Sequence, residues 1–346
     1  MLRIEKTIPK FRVLYVDGDL MYAAKGYRIY KSSDGGEHWI LDGKIKDIKY
    51  SLIGGIRLLA RLLRVEVSGM MILEDGSRVV IAKKGIFVAK PGSKAYVRTL
   101  KILRGSKPMN MCQDRDGNLY FGEYLLNGPF LQEERDEVHM YTSEDGGYSW
   151  RICYTFPKNT VRHIHGVYYD KFTDKIWFAS GDRGNECIIG NTDNGFKTIN
   201  IVKQGGQKYR AVKLFFYKDC IVYGTDTQIE KNHIYRFERK SGNEICLQEV
   251  QGSVISGVQV GEQICISTAV EPSEVNTHPY VHLWYSPDGK RWKDVYRVKH
   301  DSLSLKYFQF AKMQFPYHAI IGNRLIATGH AVEGLDGKTV FFSLDV

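Results

Sequence analysis

The chain has 346 residues, 43% hydrophobic and 25% charged, with a formal net charge of +10. That length and balance exclude a disordered chain and allow two ordinary domains or one large all-β domain. The positive charge favours anionic partners, but no long Lys/Arg run or nucleic-acid motif accompanies it, so nucleic acid is set aside.

In chain order, the first residues, LRIEKTI, carry Arg3, Glu5 and Lys6 and no apolar h-region. They do not read as a secretory signal, so the expectation is a cytoplasmic chain. The most apolar stretch, SLIGGIRLLARLLRVEV, is interrupted by Arg57, Arg61 and Arg64 and is no transmembrane segment. Those arginines fall at i, i+4 and i+7. On a helix they form a basic stripe suited to an anionic membrane; the favoured reading instead feeds them to a central mouth. Beyond this stretch, short apolar runs alternate with turns, the pattern of antiparallel strands. One phrase recurs at about 40 to 50 residues: a strand, a turn, a second strand ending in small residues, a variable loop, then an outer hairpin. The second strands read LMYAAK, SRVVIAKKG, NLYFGEY, KIWFASGD, CIVYGTD, QICISTAV and RLIATGHA. No Pro/Ser-rich linker divides the series, so residues 1–346 are read as a single domain. Six cysteines are scattered singly. Cys153, Cys220, Cys246 and Cys265 lie in apolar runs and are expected to be reduced, mostly buried thiols.

The outer hairpins carry a second repeat. Residues 30–40 read YKSSDGGEHWI and residues 141–152 read YTSEDGGYSWRI. Ser32, Asp34, Gly36 and Trp39 match Ser143, Asp145, Gly147 and Trp150 in spacing. Near 191–198 the copy keeps Asp193 and Gly195 but loses the tryptophan; near 286–292, YSPDGKRW is one residue shorter. An aspartate can accept backbone N–H groups across such a turn, and glycine supplies positive φ. The pattern resembles the Asp-box (BNR) repeat of sialidase-like β-propellers. That resemblance implies an all-β propeller, with the boxes as folding devices on the face opposite the ligand site. Counting second strands gives seven blades, with six as the alternative. The last unit lacks a fourth strand, which the N-terminal strand would supply to close the ring.

Repeat symmetry also selects candidate site residues. Four second strands end in a polar residue at the same repeat position: Glu123, Asp182, Asp226 and His330. The inner strand of the fourth unit begins VRHIHGVYYD, placing His163 and His165 on one face with Arg162 and Tyr168 nearby. Tyr209 and Arg210 begin the next inner strand, and Asn110 comes from the third unit. The long loops YLLNGPFLQEERDEVHM and VEPSEVNTHPYVH add Tyr124, Asn127, His278 and Tyr280 as candidate sugar contacts.

Three function classes stay open. The His, Tyr and Arg cluster is similar in residue types to propeller polysaccharide lyases acting on uronates. By that analogy Arg162 or Arg210 would neutralise the carboxylate, His163 or His165 would take the proton, and Tyr168 or Tyr209 would protonate the leaving oxygen. A glycoside hydrolase would draw two carboxylates from Glu123, Asp182 and Asp226. A non-catalytic propeller would use the same groups to bind a glycan or a protein. No sialidase catalytic residue carries over, because no Arg-Ile-Pro motif is present. The expected partner is an acidic oligo- or polysaccharide, with no cofactor required. His163 and His165 are the candidate ligands if a divalent metal is used.

Overall fold

The computed structural model describes residues 1–128 and 134–344. Strands dominate the described residues, built where β-branched and aromatic residues recur. Within each unit the strands pair antiparallel, and in four of the sheets neighbours follow chain order. Four sheets have four strands each, beginning at Cys112–Gln113, His163–Asp170, Ala211–Phe216 and Val254–Val260. An eight-stranded sheet holds two further four-stranded units. Their outer strands, Ile40–Ile45 and Ala95–Lys101, meet in a short parallel contact, Lys44 with Ala95 and Ile45 with Tyr96. In the last sheet, Arg3–Pro9 pairs with Lys338–Ser343, followed by Arg324–His330 and Lys312–Gln314. The register runs from Arg3 opposite Ser343 to Pro9 opposite Lys338. The N-terminal strand thus covers what would otherwise be an open edge.

The sheets are the blades of a β-propeller. First strands and the residues flanking them surround a cavity of about 380 Å³ lined by Val13, Gly69, Met111, Val167, Leu214, Val258 and Phe315. Neighbouring units pack face to face. Leu73, Val79 and Val88 of one meet Leu119 and Phe121 of the next. The small residues that end the second strands have a steric cause. A Cβ on Gly122 would lie 2.5 Å from Ile164 Cβ, and one on Gly224 would lie 2.7 Å from Val254 Cβ. Each glycine therefore lets the next unit's inner strand approach closely.

The outer hairpins form the expected turns. Asp145 Oδ1 accepts from Ser149 N (2.9 Å) and Ser143 Oγ (2.8 Å), and Gly147 N donates to Ser143 Oγ (2.8 Å). Trp150 Nε1 donates to Gly147 O (2.9 Å). Asp34 and Trp39 repeat the arrangement. The copy near 191–198 is read differently by the structure. Asn194, not Asp193, takes the acid position: its Oδ1 accepts from Thr198 N (3.1 Å) and Thr192 Oγ1 (2.9 Å). Phe196 then holds the glycine position, at φ 68° and fully buried.

Two expectations on burial and placement are corrected. Cys246 is exposed and Cys153 half-buried, because both sit on fourth strands at the rim; Cys220 and Cys265, on second strands, are buried. The arginine-rich stretch forms two short helices, α1 (Ile48–Gly54) and α2 (Arg57–Leu62). Asp47 caps α1 by accepting from Tyr50 N at 3.0 Å. No helix among the described residues is long and apolar enough to cross a membrane.

Candidate functional site

The cluster at the mouth is assembled from blade ends. His163 and His165 open the strand His163–Asp170, and Asp182 follows the strand Lys175–Gly181 that pairs with it. Arg210 directly precedes Ala211–Phe216, and Asp226 directly follows Cys220–Thr225. Gly181 matters sterically, since a Cβ there would overlap the His165 ring.

Asp182 Oδ1 lies 3.0 Å from His165 Nε2, 3.3 Å from His163 Nε2 and 3.3 Å from Arg210 Nη2. Its Oδ2 is 2.5 Å from Arg162 Nη1. All of these side chains but Arg162, which is half-buried, are buried. The carbonyls around the imidazoles fix their tautomers. His163 Nδ1 is 2.9 Å from Leu125 O, and His165 Nδ1 is 3.0 Å from Ala211 O. A carbonyl only accepts, so both Nδ1 atoms carry hydrogen. When both rings are neutral, two Nε2 lone pairs face each other at 3.1 Å, beside a carboxylate oxygen. Three lone pairs meeting in a buried space require a positive charge between them, as a proton or a cation.

The donor set fits a metal geometrically. Three donors about 3.1 Å apart subtend roughly 95° at an ion about 2.1 Å from each, the facial two-histidine, one-carboxylate arrangement. The carbonyls on Nδ1 would be the outer hydrogen bonds that orient metal-binding imidazoles. Two carboxylates, Asp182 and Asp226, balance the guanidiniums of Arg162 and Arg210, and the third, Glu271, is the one that holds its proton most strongly.

The electrostatics follow from this crowding. Burial pushes Asp182 up, but the positive charge held by the His163–His165 pair, with a hydrogen bond from whichever Nε2 carries the proton, outweighs it and holds the carboxyl well below the ordinary range. Burial lowers His163, which keeps its Nε2 lone pair available. Burial and the neighbouring Asp226 push Glu271 up to about 7. Glu271, on the loop after the strand Gln263–Thr268, is a site residue that sequence reasoning missed. Its loop was noted for length, but a carboxylate among prolines and serines there carries no pattern. Among the described residues, Arg210 Nε and Nη1 and Asp226 Oδ1 are buried without hydrogen-bond partners, which leaves donors and an acceptor for a ligand or water. The Tyr124 ring, 38% exposed, packs tilted against the His163 ring with centroids 4.4 Å apart.

Other predicted residues are placed elsewhere. Glu123 turns away from Asp182, accepting from His139 N (3.0 Å) and pairing with Arg104 (3.3 Å). Tyr168 OH donates to Val212 O, and Tyr209 OH to Glu244 Oε2 (3.1 Å). Both phenols are therefore held by the scaffold, not by the histidine cluster. Asn110 clamps Val167 through both its N–H and C=O, bracing two inner strands. Asn127 does the same for Asp136 within its own loop. That loop also contains 129–133, which lie outside the described residues. His278 sits against His282 (3.1 Å), which pairs with Asp294, and the Tyr280 ring lies beside His278. His330 belongs to a second mouth cluster, with Nδ1 3.6 Å from Glu66 Oε2. Glu66 also pairs with Arg12 (2.8 Å) and Lys107 (2.9 Å). Among the described residues no hydrogen bond or ion pair joins His330 to Asp182.

No protein-family model matches the chain, and no curated protein does. Solved structures of similar shape are β-propellers at low identity. The WD40 β-propeller domain of Doa1 is 10% identical, with a TM-score of 0.52 over 99% of this chain and 97% of that one. YCF48 bound to a D1 peptide is 10% identical, at 0.57 over 98% and 97%. The GH74 enzyme of Niastella koreensis is 9% identical, at 0.55 over 85% of this chain and 46% of that one. These likenesses show the fold.

Proposed function

We propose that the chain is a seven-bladed Asp-box propeller that acts on an acidic, uronate-bearing saccharide at its mouth. The observation that carries the reading is the convergence of His163 Nε2 and His165 Nε2 on Asp182 Oδ1 beside Arg210. With one proton on His165 Nε2, donated to Asp182 Oδ1, the His163 Nε2 lone pair is left as the base. Arg210, with its Nε and Nη1 free for a ligand, takes the uronate carboxylate. The reaction class is β-elimination. His163 removes the C5 proton, the electron pair forms the C4–C5 double bond, and the C4–O bond breaks. The leaving oxygen takes a proton from Tyr124, whose ring packs against His163. Tyr124 replaces Tyr168 and Tyr209 in this role, since their hydroxyls are committed elsewhere.

The test is a panel of uronate-containing polymers, followed by ultraviolet absorbance of the unsaturated product and by reducing-end release. His163→Ala is expected to lower the rate by about 10²-fold or more while the protein stays folded. Tyr124→Phe should lower kcat more than it changes KM. Reducing ends without absorbance would mean hydrolysis, and the carboxylates Asp226 and Glu271 would then carry the chemistry. Glycan binding with no cleavage would make the mouth a recognition site.

A second reading has its own observation, the facial geometry of the three donors. A divalent ion on His163, His165 and Asp182 would polarise the uronate carboxylate in place of that proton. Elemental analysis of the purified protein separates the two: a stoichiometric metal, lost in His165→Ala, favours the ion.

A further inference from the structure

The insert α1–α2 has its polarity inverted. A short helix on a globular surface ordinarily buries its leucines and shows its arginines. Here Arg61 is 3% exposed, whereas Ile48 is 83%, Leu52 72% and Ile56 56% exposed. Leu58, Leu62 and Leu63 are exposed as well. Arg61 is turned inward as an anchor, while Arg57, its side chain 41% exposed, forms its ion pair at the surface. Arg57 Nε donates to Asp336 Oδ2 at 2.8 Å, and Arg61 Nη1 to Asp301 Oδ2 at 2.5 Å. Both carboxylates lie on loops of the mouth face, Asp336 between the strands Arg324–His330 and Lys338–Ser343, and Asp301 after Lys293–Lys299. The insert is thereby pinned beside the mouth with an apolar surface outward, the kind of patch that marks an interaction site.

The charge around that surface identifies the occupant. Lys46, Lys49 and Arg64 are exposed beside the apolar residues, and no acidic residue occurs between Asp47 and Glu66. Apolar side chains bordered by cations, with carboxylates absent, complement the interface of an anionic bilayer. We propose that α1–α2 docks this protein on an anionic lipid surface, with Ile48, Leu52, Leu58 and Leu62 entering the acyl boundary and Lys49 and Arg64 meeting headgroups. Docking there sets the mouth next to the bilayer, facing saccharide presented at its surface. The proposal stands whether or not the mouth is catalytic.

The experiment is co-sedimentation of the full chain with phosphatidylcholine vesicles, with and without one-third phosphatidylglycerol. Binding is expected only with phosphatidylglycerol, and it should weaken as salt is raised. Leu52→Glu combined with Leu62→Glu should lower partitioning at least about tenfold, as should Lys49→Glu with Arg64→Glu. All four positions are exposed, and an unchanged melting temperature verifies that each variant is folded. Three results overturn the idea: no binding of the native chain to anionic vesicles, salt-insensitive binding that also occurs to phosphatidylcholine alone, or full binding by both variants. Self-association of the native chain that the leucine variant abolishes, without vesicle binding, would assign the surface to a second copy instead.

Discussion

At the scale of single residues, the site is a charge-balance problem solved by geometry. Two imidazoles donate Nδ1–H to carbonyls, so their Nε2 atoms must be reconciled by a positive charge. Glu271 carries the opposite stress, since burial beside Asp226 opposes its ionisation. With its carboxyl raised from 4.5 to about 7, the unfolded chain releases the proton first as pH rises. Its contribution to stability is therefore complete below about pH 4.5 and lost as pH rises through about 7. Glu271→Gln removes that loss. The variant is expected to match the parent near pH 4 and to exceed it by about 1–2 kcal/mol near pH 8, read from denaturant melts at both pH values. The histidine pair, Asp182 and Arg210 were legible in the sequence because the blade repeat gave them common positions. Glu271 was not, because a loop residue has no repeat register to mark it.

At the scale of elements, the box turns hold the outer strands of their blades through one side chain. Asp145 receives several donors at once, and hydrogen bonds from Ser149 and Ser143 overcome the effect of burial to lower its carboxyl. Asp145→Ala is expected to destabilise the fold by about 1–2 kcal/mol and to leave ligand affinity in the folded fraction unchanged. Thermal melts and binding isotherms of the same preparation check both halves. Phe196 sets two effects against each other. Its positive φ costs about 1–2 kcal/mol, whereas a buried phenylalanine stabilises by about 3–5 kcal/mol. Packing wins, so Phe196→Gly should lower stability by about 2–4 kcal/mol even though it relieves the backbone. The degenerate copy could not be aligned from sequence alone, because Asp193 offers an acid one position early. Only the hydrogen bonds reveal that Asn194 does the work.

At the scale of the whole molecule, closure depends on the first nine residues. Removing 1–9 would leave Lys338–Ser343 as an open edge and strip the contacts of Ile8 with Phe341 and Ile326. The truncated chain is expected to melt at lower temperature and to aggregate on standing, measured by light scattering; an unchanged, monomeric protein would count against closure by this strand. The strand pattern, the closing role of the N-terminus and the box turns were all written in local periodicity and spacing. The strand pattern and the turns arise from interactions among near neighbours, which a sequence records directly, whereas the closing strand was read from the strand missing in the last unit. The tertiary structure decided which polar blade ends converge. Glu123 and Asp182 occupy the same repeat position, yet one turns to Arg104 and the other to two histidines. It also decided that Arg61 faces inward while leucines face out, because its partner, Asp301, lies more than two hundred residues away along the chain. Side-chain direction is set by partners across space, and no periodicity along the chain encodes them.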